Sequence, residues 1–309
     1  MAKADIIVIG GGAAGMTAAL YALRSGKSVL LLESDNIGGQ IAFSPRVENF
    51  PSIKQISGSE LADNLMEQIT ALGAQIELER VQSVQKTDNG FEVVTDFGAH
   101  TGGAVIIAAG VKHKHIGIEG ELDLVGKGVS YCAVCDGAFY AGEEVALVGD
   151  GNTALQYSIL LSNYCKKVYV CTWFDKFFGD YALVKCLRER PNVEVIPNVC
   201  LKEFVTDGAG DLKGLKFVGR ETGEPLNLDV KAVFIAIGQV PDNKAFANLA
   251  KLDKDGYIIA GEDCRTDTPG VFAAGDCRTK KIRQLTTACA DGATAAIAAC
   301  QYLDSLCCQ

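Results

Sequence analysis

Ala4-Asp5-Ile6-Ile7-Val8-Ile9-Gly10-Gly11-Gly12-Ala13-Ala14-Gly15 is the stretch on which the reading of the fold turns. Its apolar run predicts a buried strand, and the glycines that follow end it in a tight turn. From Ala14 to Arg24, alanine and leucine recur at helical spacing, with Gly26 as the stop. Ser28-Val29-Leu30-Leu31-Leu32-Glu33 is then a second strand that closes on an acid. Strand, glycine turn, helix and strand-end acid in this order make a dinucleotide-binding unit. The glycines let the backbone approach a pyrophosphate at the helix N-terminus, and the acid takes ribose hydroxyls.

The pattern recurs. Glu144-Val145-Ala146-Leu147-Val148 runs into Gly149-Asp150-Gly151-Asn152-Thr153-Ala154, a helix follows through about Tyr164, and Lys167 to Cys171 is the next strand. This second strand ends on Cys171-Thr172-Trp173-Phe174-Asp175-Lys176-Phe177-Phe178, without the acid an NAD-type site wants or the arginine an NADP-type site wants. A working nucleotide site and a unit kept for its fold are both open readings. Elsewhere, Ser59 to Gly73 reads as an amphipathic helix, and Gln75 to Val94 as strand broken at Asp88-Asn89-Gly90. Ala104 to Gly110, Val193 to Phe204, Leu215 to Gly219 and Val233 to Gly238 read as further strands. Gln239-Val240-Pro241-Asp242 reads as a return linker, Pro269 to Asp276 as a strand delivering an acid beside a nucleotide, and Thr287 to Leu303 as a final helix. The fold class is α/β, with two Rossmann-like three-layer nucleotide-binding domains.

Composition narrows the setting. The 309 residues suffice for two domains, and 48% hydrophobic with 22% charged residues is ordinary for a globular protein. A net charge of −9 recommends neither nucleic acid nor an anionic membrane as partner. The first apolar run is too short for a signal peptide, no stretch reads as transmembrane, and a cytoplasmic location is expected.

Cys132-Ala133-Val134-Cys135-Asp136-Gly137 carries the chemistry. Two cysteines two residues apart can close an exchangeable disulfide or supply half of a zinc site. No second pair follows to complete four ligands, so no metal is expected, and a dithiol beside nucleotide units points to redox chemistry. Asp136 adds a proton donor and acceptor to the same loop. The chain has twelve cysteines; Cys165, Cys171, Cys186, Cys200, Cys264, Cys277, Cys289 and Cys300 stand singly and read as small core hydrophobes. Cys307-Cys308 reads as an incidental tail pair, and Lys112-His113-Lys114-His115 as a solvated basic loop rather than a metal site.

The order of these motifs, with Phe272-Ala273-Ala274-Gly275-Asp276, Arg283-Gln284 and Asp291-Gly292-Ala293 toward the end, resembles the low-molecular-weight flavin thioredoxin reductases over nearly the whole chain. The resemblance implies an FAD domain split over 1–112 and 244–309, with a nicotinamide-type domain at 113–243 inserted into it. It implies FAD phosphates on Gly10, Gly12, Ala13 and Ala14, the ribose on Glu33, and further flavin positions at Gly39, Gln40, Asn49, Gly110, Asp276, Arg283 and Gln284. It further implies that Cys135 faces the flavin, Cys132 attacks the target disulfide and Asp136 is the acid/base. A thioredoxin or thioredoxin-like partner, a homodimer, and rotation of the central domain about Gly110–Gly117 and Gly238–Lys244 follow from the same likeness.

One departure bears on the electron donor. NADPH-dependent members of that family carry H-R-R-x-x-x-R after the second strand, where this chain has Thr172-Trp173-Phe174 and Phe178. Each lost charge-assisted phosphate contact is worth about 1.5–3 kcal/mol, so NADPH is disfavoured. Lys176 stands at a non-matching position. The expectation is the ferredoxin-dependent type, with reduced ferredoxin as donor, because the whole cluster is lost and the aromatics crowd an adenosine ribose. NADH is the alternative donor. A reductase of another disulfide carrier and a flavin redox sensor are the alternative functions.

Overall fold

The computed structural model describes residues 3–44 and 46–307, with only the backbone of Cys307; the Cys307-Cys308 pair therefore lies outside what is described. The chain divides into two compact units, one up to Lys112 and again from Val240, the other His113–Gln239.

The first unit begins with β1 (Lys3–Ile9), α1 (Ala13–Arg24) and β2 (Val29–Glu33), then α2 (Gly58–Ala71), β3 (Gln75–Leu78), β4 (Val81–Thr87), β5 (Gly90–Thr95) and β6 (Ala99–Ile107). Strand β7 (Lys112–His113) leads out of it. The second unit contains β8 (Val129–Ser130), α3 (Ala133–Asp136), β9 (Glu144–Val148), α4 (Asn152–Leu161), β10 (Lys167–Cys171) and α5 (Tyr181–Arg188). It continues with β11 (Val193–Ile196), β12 (Val199–Thr206), β13 (Leu212–Gly219), β14 (Pro225–Asp229) and β15 (Ala232–Ile235). The chain returns through β16 (Gln239–Val240) to β17 (Val271–Ala273) and α6 (Leu285–Cys307).

In the first unit β1 pairs in parallel with β2 and β6, β2 with β3, and β6 with β17, while the β4–β5 hairpin adds antiparallel to β6. Side chains alternate across β1. Ile6 and Val8 pack with Ala18, Ile69 and Ala299 of the helices, and Ile7 and Ile9 pack with Phe91, Phe246 and Ile258 on the other face. A strand buried on both faces must be apolar at every position, hence the unbroken run. Helix α6 lies against α1 at Gly292, where a Cβ would stand 3.1 Å from Ala18 N and against the Ala14 carbonyl.

The second unit repeats the plan with a fully parallel sheet ordered β11-β10-β9-β15-β8. Val145 and Leu147 face α4 through Ala154, Leu155 and Leu161; Ala146, Val233 and Ile235 face Phe204, Leu215 and Phe217 of the antiparallel β12-β13-β14 sheet. Helices, parallel sheet and antiparallel sheet make its three layers. The expected Rossmann-like α/β class holds.

Element ends differ from the sequence expectation where local chemistry intervenes. The expected strand 193–204 is two strands, because Pro197 supplies no backbone donor and Asn198 turns at φ 56°. Helix α4 ends at Leu161, where Ser162 folds its hydroxyl back onto the Ile159 carbonyl. Helix α2 begins one residue before the expected Ser59, because Ser57 caps it by accepting from the Glu60 amide at 3.2 Å.

Candidate active site

In the first unit the glycine turn forms a cradle. Gly10 sits at φ +109°, and a Cβ there would strike the Ala108 carbonyl; one at Gly15 would strike the carbonyl of Gly10. Gly12 caps α1 with no side-chain hydrogen bond and no acid in the first turn, so among the described residues no local side chain takes up the first-turn amides. Such a helix start suits an anionic phosphate. Gly39, at φ +56°, lies beside Gly12, where its Cβ would be 3.3 Å from the Gly12 Cα. Glu33, at the end of β2, is pinned: Oε2 accepts from the Gly11 amide at 2.7 Å and Oε1 from the Asp35 amide at 2.8 Å. It borders a cleft of about 180 Å³ lined also by Gly10, Glu79, Arg80, Lys112 and Phe246.

Asp276 follows β17 on a short 3-10 turn. Gly275 packs that turn onto the start of α1, since a Cβ there would be 2.8 Å from Ala14 Cβ. Asp276 Oδ1 is buried without a hydrogen-bond partner among the described residues, and burial pushes its carboxyl above the usual range. Arg283 donates to the Asp276 carbonyl at 3.3 Å and lies over Tyr257 at 4.2 Å; Gln284 Nε2 donates to the Arg283 carbonyl at 2.8 Å. Gln40 Nε2 donates to the Val111 carbonyl at 3.1 Å, next to Gly110 at φ +65°. Asn49 stands exposed in its loop. An uncapped helix start, a cradle that rejects a Cβ and an orphaned buried carboxylate oxygen fit a flavin dinucleotide, whose phosphates and ribityl hydroxyls need those groups.

A buried ion cluster braces this end of the unit. Arg278 donates to both oxygens of Asp291 at 2.7 and 2.8 Å, Lys280 reaches Asp291 at 2.9 Å, and the Gly275 amide donates to Asp291 at 3.0 Å. Burial alone would raise the Asp291 carboxyl, but the two cations outweigh it and hold it below the usual range.

In the second unit Cys132 and Cys135 are joined by a disulfide, with Cα atoms 5.3 Å apart. Cys132 is the N-cap of α3, and its Sγ accepts from the Cys135 amide at 3.2 Å. Asp136 closes that turn, and its Oδ2 accepts from the Ser130 hydroxyl at 2.6 Å. The Ser130 oxygen in turn accepts from the Cys132 amide at 3.1 Å. Ser130 was not singled out by sequence; a polar residue at the end of a buried strand two positions before the first cysteine was its only signal.

The second glycine turn has its own features. Gly149 sits at φ +153°, Gly151 caps α4 without a side-chain bond, and Asp150 stands in the turn, with burial raising its carboxyl. The Phe178 amide donates to the Asp150 carbonyl at 2.8 Å, and the Asp180 amide to Asn152 Oδ1 at 2.7 Å. Trp173, Phe174 and Phe178 stand exposed on this edge. Arg220 brings a positive group to this edge from outside the local motif. From the end of β13 it donates to the Trp173 carbonyl at 2.7 Å and lays its guanidinium 4.6 Å above the Trp173 ring and 5.3 Å above Phe174. Forty-seven positions separate the pair. No local pattern joins them. Among the described residues no group of three or more His, Cys, Asp or Glu could hold a metal, and no helix is long and apolar enough to cross a membrane.

Residues 4–292 match the family model of pyridine nucleotide-disulphide oxidoreductases. Across 98% of this chain and 98% of its own length, a thioredoxin reductase from Treponema pallidum (strain Nichols) is 39% identical. The chain belongs to the low-molecular-weight thioredoxin reductases. The solved thioredoxin reductase of Streptococcus pyogenes MGAS5005 superposes with a TM-score of 0.94 at 35% identity, over 98% of this chain and 99% of that one. That of Giardia duodenalis gives 0.92 at 32% identity, over 98% and 100%. Membership of this family implies a flavin.

Proposed function

We propose that this chain reduces the disulfide of a thioredoxin or thioredoxin-like protein, using FAD and the Cys132/Cys135 pair, and that its electron donor is not NADPH. The observation that carries the reading is the disulfide with Asp136 hydrogen-bonded beside it, in a chain that also has a flavin-type cradle.

Gly10, Gly12, Ala13 and Ala14 would hold the FAD phosphates, Glu33 the ribose, and Asp276 a ribityl hydroxyl. Gly39, Gln40, Asn49, Gly110, Arg283 and Gln284 would border the rest. Bound FAD would supply the electron pair that opens the Cys132–Cys135 disulfide. In the reduced pair the Cys135 amide stabilises a Cys132 thiolate, and Asp136 holds the proton Cys132 gave up. Cys132 Sγ attacks one sulfur of the target disulfide, and the departing target thiolate takes the proton from Asp136. Asp136 then accepts the Cys135 thiol proton as Cys135 Sγ attacks Cys132 Sγ. The mixed disulfide breaks, and the second target thiolate leaves with that proton. Two protons and two electrons pass to the target, and the Cys132–Cys135 disulfide is restored.

Reduced ferredoxin as donor is favoured by Asp150, whose carboxylate would oppose a pyrophosphate at the second glycine turn, and by Arg220, already engaged by the Trp173 carbonyl and two rings. A second reading, NADH, is favoured by the uncapped start of α4. The family resemblance supports a homodimer, and the eight free cysteines among the described residues fit a reducing, cytoplasmic setting.

The test is anaerobic bleaching of the flavin with NADPH, NADH and reduced ferredoxin offered separately, each followed by addition of a thioredoxin disulfide. Fast bleaching by ferredoxin, with thiols appearing on thioredoxin, supports the reading. Fast bleaching by NADPH overturns the donor assignment, and a reduced protein that leaves thioredoxin oxidised overturns the reductase assignment.

A further inference from the structure

Ser130 closes β8, whose pairing with β15 at Val129–Val233 and Ser130–Phe234 anchors it to the central sheet, and it is 4% exposed. Its hydroxyl has one hydrogen to give. That hydrogen goes to Asp136 Oδ2 at 2.6 Å, within the range of an O–H donor on a carboxylate, while the oxygen accepts from the Cys132 amide at 3.1 Å. The Cys132 carbonyl, at 3.4 Å, is the poorer alternative acceptor. One hydroxyl thus ties the carboxylate to the backbone of the cysteine whose proton it would handle.

We propose that Ser130 is a positioning residue for the dithiol reaction, holding the Asp136 carboxylate in place against the Cys132–Cys135 pair and tying it to the Cys132 amide. The proposal rests on the reading of Asp136 as the acid/base and names what orients it. A serine serving the fold alone would need only a backbone carbonyl as acceptor. Here its hydrogen goes to the carboxylate of the redox turn.

Titratable groups beside that turn include Tyr131, next to Cys132, whose phenol is pushed up by burial and by its bond to Glu121, and two tyrosines from α4 and the residues just after it. Tyr157 faces Asp136, and its phenol is pushed up by burial and then by the Asp136 charge; the Tyr164 hydroxyl stands over Gly137, pushed up to about 12 by burial. Both stay neutral from acid to mildly alkaline pH. Neither phenol therefore exchanges protons over that range. Removing a donor from a carboxylate favours its protonated form, so loss of Ser130 moves the acid limb of the reaction to higher pH.

The experiment is single-turnover reaction of dithionite-reduced, desalted, FAD-loaded full-length protein with two probes, over pH 5 to 9. One is a thioredoxin disulfide, whose alkyl thiolate needs a proton to leave; the other is the aryl disulfide DTNB, whose thiolate leaves without one. Wild type, Ser130→Ala, Ser130→Thr, Asp136→Asn and the Ser130→Ala/Asp136→Asn double variant are compared. For Ser130→Ala, the thioredoxin rate is expected to fall about tenfold with the acid limb raised by about one pH unit, and the loss with DTNB to be smaller. Ser130→Thr, which keeps the hydroxyl, is expected to restore the limb, and the double variant to be no slower than Asp136→Asn. Equal losses with both probes, or an unmoved acid limb, would overturn the assignment to Ser130. If Ser130→Ala does not fold, Ser130→Thr decides: it must keep the wild-type limb. Failure of the wild type itself to reduce thioredoxin would count against the reductase reading rather than against Ser130.

Discussion

Cys132 and Cys135 are chemically identical, and their surroundings separate them. The Cys135 amide points at Cys132 Sγ and would help a thiolate form there, whereas among the described residues no amide donates to Cys135 Sγ. Under the proposed order of attack, Cys135→Ser should trap a stable mixed disulfide with a thioredoxin-like target and Cys132→Ser should not, as read by non-reducing electrophoresis and mass spectrometry. Asp136→Asn should slow thioredoxin reduction by on the order of 10² or more in stopped-flow, with the disulfide still able to form. Asp291 is a stability case. Asp291→Asn leaves Arg278 and Lys280 buried without their counter-charge and should cost about 3–5 kcal/mol, read by denaturant unfolding. Because the Asp291 carboxyl is held below its ordinary value, its stabilisation is complete above the unfolded value near pH 4. It is lost as pH falls through the lower folded value, so wild type but not Asp291→Asn should show that acid-dependent loss below about pH 4.

At the scale of elements, legibility followed sequence distance. β9 and β10 span the residues the apolar runs mark, and β1, α1 and β2 lie within one residue of them, because strands buried on both faces and a glycine-started helix write themselves locally. What was not legible is how side chains pair outside the regular elements. Ser130 meets Asp136 across a turn, Arg220 meets Trp173 from another sheet, and Arg278 meets Asp291 from a loop to a helix. Propensity and periodicity carry no information about such pairs. Ends were blurred where single side chains decide them, as Ser57 does for α2 and Asn198 between β11 and β12. The edge after β10 gives a prediction of its own kind. Restoring arginine at Trp173, Phe174 and Phe178 should tighten NADPH binding by about tenfold or more per contact, measured by calorimetry against NADH as control. Unchanged NADPH affinity would mean that Asp150, rather than the aromatic edge, decides.

For the whole molecule, two units of one design bear different functional groups. The first carries the cradle that rejects a Cβ at Gly10 and Gly15, and the second carries the disulfide, Asp136 and a glycine turn with an acid in it. Under the proposed function both store electrons. The most direct measurement is an anaerobic dithionite titration of the FAD-loaded protein, following flavin absorbance, for wild type and for Cys135→Ser. Wild type is expected to take up two electron pairs per chain, one on the flavin and one on Cys132–Cys135, while Cys135→Ser takes one. A single pair in both would mean that the disulfide exchanges no electrons with the flavin, and would overturn the proposed dithiol reaction.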